Sequence, residues 1–69
     1  TGSKILNQKL NAILKAIHSW HRAEEKLDRK RNPALRAAIQ DARAHLVPAN
    51  YVERAIQLAG QGFTSLKIE

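Results

Sequence analysis

Apolar residues recur over residues 3–29 at Leu6, Leu10, Ile13, Ile17 and Trp20, in steps of four, three, four and three, and the register resumes at Leu27. A period of about 3.5 residues is the seam of a helix packing nearly parallel or antiparallel to its neighbours. Ile5, Leu14, Ala16 and Ala23 widen that seam, as a helix facing a globular core requires. Lys9, Lys15, Arg22 and Lys26, with Glu25 beside them, form the polar side. Ser3 is placed to cap the start. The pattern therefore predicts one long basic helix over 3–29. The charged joint Asp28-Arg29-Lys30-Arg31 that follows is either its frayed end or a short loop. Cations suit a helix C-terminus, where the macrodipole is negative.

A second unit starts at Asn32-Pro33. An asparagine side chain can accept a hydrogen bond from a free amide at a helix start, and proline at the first helical position sacrifices no needed N–H. Leu35, Ala38, Ile39, Ala42 and Leu46 then fall on one face, predicting a helix over 33–46. Val47-Pro48 ends it, because the residue before proline is pushed out of the helical region. Val52, Ala55, Ile56 and Ala59, with Tyr51 and Leu58 at the margins, predict a third helix over 49–59. Gly60 and Gly62 can close that helix in a left-handed conformation. The expected architecture is all-α: a small three-helix domain over 1–62, made of the long helix and an αα-hairpin. Phe63-Thr64-Ser65-Leu66-Lys67-Ile68 is β-prone, with Leu66 and Ile68 on one face, and reads as a strand-like tail over 63–69 leading to a missing domain.

Charge changes the picture only in part. Twelve Lys and Arg against six Asp and Glu give a net charge of +6. Residues 1–31 hold eight basic and three acidic side chains, residues 32–69 four and three. A basic half beside a near-neutral one can mark an anionic partner or a solvated face. Lys26, Arg29, Lys30 and Arg31, with Arg54 and Gln57 on the third helix, are the candidate nucleic-acid or anion contacts. In a helix-turn-helix reading of the hairpin, Asn50, Tyr51, Arg54 and Gln57 face outward, and Arg and Gln can pair with base edges. The turn lacks the usual glycine, however, and Glu53 would face phosphate. The alternative is an exposed polar face on a packed helix.

With 69 residues the chain is one domain at most, and a core of this size rarely supplies more than roughly 3–5 kcal/mol. The absence of cysteine rules out disulfides and thiolate-bound metal and fits a cytoplasmic setting. No apolar run reaches a membrane span. The opening Thr1-Gly2-Ser3 and the lack of any methionine suggest a piece of a longer protein.

Little points to catalysis. His18, His21 and Glu25 share a helix face, but three residues of one helix converge poorly on one ion. His45 lies one turn from Asp41, suggesting an exposed pair. No nucleophile–base arrangement is visible around Ser3, Ser19, Thr64 or Ser65. Gly60-Gln61-Gly62 follows a helix, whereas phosphate-binding glycine loops follow a strand. No catalytic, metal or cofactor-binding residue is expected in this chain.

Several stretches nevertheless resemble a known family. Thr1-Gly2-Ser3-Lys4-Ile5-Leu6-Asn7-x-x-Leu10-Asn11-Ala12-Ile13 is similar to a stretch of the class II, adenosylcobalamin-dependent ribonucleotide reductases. So are Asn32-Pro33-Ala34-Leu35-x-x-Ala38-Ile39, Leu46-Val47-Pro48-x-Asn50-Tyr51-Val52-x-Arg54 and Gln61-Gly62-Phe63-Thr64. The resemblance implies a helical accessory segment of a cytoplasmic oxidoreductase of DNA synthesis, one that reduces ribonucleotides to deoxyribonucleotides with a radical made from adenosylcobalamin. It implies that the partner is the remainder of that enzyme. A second resemblance, through the Asn-Pro-x-Leu-Arg-x-Ala-Ile run and Glu53-Arg54-Ala55-Ile56, is to the N-terminal helical domain of the YebC family of regulators. That family's His-Ser-Lys-Trp opening and glycine-rich helix exit are missing here. Three functions stay open: an accessory domain of the reductase, a nucleic-acid-binding module, and a helical oligomerisation module using the Leu6–Trp20 seam.

Overall fold

The computed structural model describes residues 2–67, with side chains from residue 4 onward. Its elements are α1 (Gly2–His18), a single 3-10 turn (Ala23–Glu25), α2 (Pro33–Ala44) and α3 (Ala49–Gly60). The fold is all-α, as expected, with α1 at its centre. Both α2 and α3 pack mainly on α1 and only lightly on each other. Leu10, Ile13, Leu14 and Ile17 of α1 meet Leu35, Ile39 and Ala42 of α2 and Val52, Ala55 and Ala59 of α3, with Val47 sealing the corner between the last two. The seam on α1 is therefore buried inside the domain. The predicted Ser3 cap concerns a side chain outside the described ones.

The first helix is shorter than its pattern implies. It stops at His18 rather than near Arg29. The physical reason lies fourteen residues further on. Asn32, fully buried, accepts the Leu35 amide (3.0 Å) as the cap of α2. Its Nδ2 donates to the carbonyls of Lys26 (2.9 Å) and Ala16 (3.4 Å). Ala16 is one of the last-turn residues whose carbonyls a helix leaves unpaired, and Ser19 Oγ also donates to it (3.4 Å). One side chain thus caps the start of α2, the end of α1 and the connection between them. Asp28 shapes the rest of that connection, its Oδ1 accepting the amides of Lys30 (2.8 Å) and Arg31 (3.3 Å). Leu27, the supposed next seam residue, is 41% exposed. One of its methyl carbons lies only 3.3 Å from where a Cβ on Gly60 would stand, so a glycine there lets the connection approach α3.

Two helix ends use the same hydrogen bonds with different residues. After α3, the Gly62 amide bonds to the Ala59 carbonyl and the Phe63 amide to the Leu58 carbonyl, with Gly62 at φ 101°. This is the Schellman closure, which wants a left-handed residue. After α2, the Leu46 amide bonds to Arg43 and the Val47 amide to Ala42, and the left-handed residue is Leu46, at φ 63°. That conformation costs a side-chain-bearing residue roughly 1–2 kcal/mol. Leu46 is also 89% exposed, so it belongs neither to the helix nor to the buried stripe it was expected to complete. The expected corner at Pro48 is present: Pro48 is the extended residue before α3.

The tail is not a strand among the described residues. Ile68, the expected partner of Leu66 on one face, lies outside them. What holds the tail is a side chain acting as a neighbouring strand would. Asn11 accepts the Leu66 amide (2.8 Å) and donates to the Leu66 carbonyl (3.0 Å). His18 Nε2 donates to the Phe63 carbonyl (2.6 Å).

One ion pair ties α1 to α2. Lys9 Nζ stands 2.7 Å from Asp41 Oδ2. The hydrogen bond from Lys9 is the main cause that holds the Asp41 carboxyl below its ordinary pKa, with the charges of Lys9 and His45 adding to it. A depressed carboxyl contributes stability above its unfolded pKa and loses it as pH falls through the folded one. Melting temperatures of the native chain and of Asp41→Asn should therefore differ at neutral pH and converge only below about pH 4, the ordinary carboxylate range. Curves that stay parallel to lower pH would remove the pair from the account.

Candidate functional site

The six candidate contact residues do not form one cluster. Lys26, Arg29, Lys30 and Arg31 lie on the connection between α1 and α2, and Arg54 and Gln57 lie one turn apart on the exposed side of α3. The connection is tied to α3 by the salt bridge from Arg29 to Glu53, which belongs to neither group. Arg31 faces Glu25 (3.2 Å) and Asp28 (3.8 Å). Both arginines therefore have carboxylates beside them. Among the described residues, no carboxylate pairs with Lys26, Lys30 or Arg54.

The histidines serve local structure. His18 holds the tail through Nε2, and its ring must carry the proton there, since a carbonyl only accepts. His21 packs its ring against Trp20, with centroids 4.6 Å apart and planes tilted by 40°. Trp20 Nε1 is buried without a hydrogen-bond partner among the described residues. His45 Nδ1 donates to the Asp41 carbonyl (2.8 Å) and lies 3.5 Å from its carboxylate, the exposed one-turn pair that the spacing suggests. No group of three or more His, Cys, Asp or Glu among the described residues could hold a metal ion. No helix among them is long and apolar enough to cross a membrane.

Two apolar hollows flank Tyr51. The first, of about 350 Å³, lies at the corner between α2 and α3, against the start of α1, and is lined by Ile5, Leu6, Leu46, Val47 and Pro48, with His45 at its edge. The second, of about 240 Å³, is lined by Leu10, Ala55, Leu58, Phe63 and Leu66, with Arg54 and Lys67 at its rim. Such volumes lie near the low end of drug-sized sites, about 300–1,000 Å³. Asn11 and His18, to which the sequence assigns no structural role, hold the tail, and Asn32, the expected cap of α2, also closes the end of α1. Only Asn32 carried a readable signal, its place before proline.

No protein-family model matches the chain, and no solved structure matches it. Curated relatives do, two of them across the whole chain. A vitamin B12-dependent ribonucleotide reductase of Bradyrhizobium diazoefficiens is 43% identical over 70 aligned positions, and one of Agrobacterium fabrum is 40% identical over 70. The chain spans 6% of the length of each. From end to end, then, this chain is similar to one short segment of vitamin B12-dependent ribonucleotide reductases.

Proposed function

We propose that the chain is a helical accessory segment of a vitamin B12-dependent ribonucleotide reductase, and that its task is to pack against the catalytic body of that enzyme. The observation that carries this reading is the 40–43% identity to two such enzymes over the whole chain. The full enzyme would reduce ribonucleotides in the cytoplasm, with cobalamin held outside this segment, and the tail after Gly62 would lead on into the rest of it. The chain's own residues support a packing role: their polar side chains serve helix ends, the connection and the tail. The oligomerisation reading loses its surface, because Leu10, Ile13 and Ile17 of the seam are buried in the domain's own core.

Two measurements test the reading. The natural polypeptide that carries this segment should reduce ribonucleotides only when adenosylcobalamin is supplied; failure to do so with active cofactor would sink it. A gel shift with duplex DNA addresses the nucleic-acid alternative. If Lys26, Lys30 and Arg54 each met a phosphate, three contacts would give a salt slope of about −2.7, or roughly 40-fold weaker binding between 50 and 200 mM salt. The packing reading expects no retardation at physiological salt. Retardation with that slope, flattened by charge reversal at Lys26 and Lys30, would favour the alternative.

A further inference from the structure

We propose that the corner between α2 and α3, with Leu46 at its tip, is the face by which this segment docks on the rest of the polypeptide that carries it. The proposal rests on the reading of the chain as an enzyme segment and adds the surface and the chemistry of its partner, an apolar face without charged groups.

Three observations meet at this corner. Leu46 sits in a left-handed conformation that Gly62 occupies at the equivalent position after α3. The left-handed backbone closes α2, but a glycine would do so without strain, and the leucine side chain, 89% exposed, buries little within the domain. Ile5, at 46% exposure, stands across the same hollow, so two large aliphatic side chains flank an apolar depression. That depression is free of Lys, Arg, Asp and Glu, on a chain of net charge +6. Depletion of charge at the centre of a patch marks the buried part of an interface. The occupant follows from length. The relatives align with this chain over 6% of their own sequence, so in them a far larger body adjoins the segment. A second copy of the chain or an external protein would be separate partners; the polypeptide's own body is always present at high effective concentration.

The test uses the full natural polypeptide carrying Leu46→Cys or, as an exposed control on α2, Ala37→Cys, with peptide mapping after brief maleimide labelling. If the corner is docked and opens only as a minor state populated at 0.1–10%, position 46 labels roughly 10- to 1,000-fold more slowly than position 37. Equal rates overturn the proposal. A photo-crosslinker at position 46 must join this segment to another part of the same chain; joining to a second copy overturns it too. Ribonucleotide reduction, measured on the same preparation, separates the two claims. Activity with position 46 freely reactive removes the docking face and keeps the enzyme reading. No activity with position 46 shielded and crosslinked within the chain removes the enzyme reading and keeps the docking face.

Discussion

Replacing Asn32 with alanine is expected to leave most of the chain unfolded. The substitution removes the cap of α2, worth about 0.5–2 kcal/mol at a typical helix start. It also removes the side-chain donor of the Lys26 carbonyl and one of the two side-chain donors of the Ala16 carbonyl. A buried polar group left unpaired costs about 1–3 kcal/mol. The sum, about 1.5–5 kcal/mol, is comparable with the roughly 3–5 kcal/mol that a core this small supplies. Asn32→Ser isolates the parts. A serine keeps the cap toward the Leu35 amide but cannot reach both carbonyls, so its loss should fall between native and alanine. Urea unfolding followed by circular dichroism gives the order. An alanine variant within about 0.5 kcal/mol of native, the usual range for a plain surface change, would show that the buried amide organises nothing.

The same residue explains what could and could not be read along the chain. The hairpin was legible because its signals are local: Asn32 before Pro33, the stripes three and four residues apart, Pro48 at the corner, Gly62 after the last helix. The end of α1 was not. Trp20 and Leu27 continue the register by spacing alone, and nothing between them forbids a helix. What ends it is a bond from Asn32 to Ala16, together with Asp28 turning the backbone at Lys30 and Arg31. Contacts between residues far apart in sequence leave no periodic trace. The tail shows the same limit. Its β-prone residues do take a strand-like partner, but that partner is the side chain of Asn11, fifty-five positions away.

Charge alone does not reveal pairing. By charge Arg29 and Arg31 belong with Lys26 and Lys30 in one basic run. In the fold their guanidinium groups turn to Glu53, Glu25 and Asp28. Exposed pairs of this kind contribute little stability, with a median of about 0–1 kcal/mol, yet they lower the positive potential that a phosphate would meet. Leu46 is the opposite case. Its spacing fits the buried stripe, so a pattern of apolar positions hides the most exposed large hydrophobic side chain of those described.

Alanine at Ile17 and at Leu27 should separate the observed α1 from a helix that runs on. Both residues sit on the same 3.5-residue register, so a continuous helix would bury both and make both substitutions expensive. In the fold Ile17 has no exposed surface, while Leu27 is 41% exposed on the connection. Ile17→Ala deletes buried carbon and leaves a cavity among Leu35 and the other core residues, a change that costs about 2–5 kcal/mol. On so small a core that is enough to lose the fold. Leu27→Ala removes a side chain that is in part already in water, and the expected loss is below about 1 kcal/mol, little more than one methylene's worth of burial. Thermal melts of the two variants decide the matter. A Leu27 loss equal to that of Ile17 would mean that the seam continues past His18, and that Asn32 meets Ala16 across a helix rather than at its end.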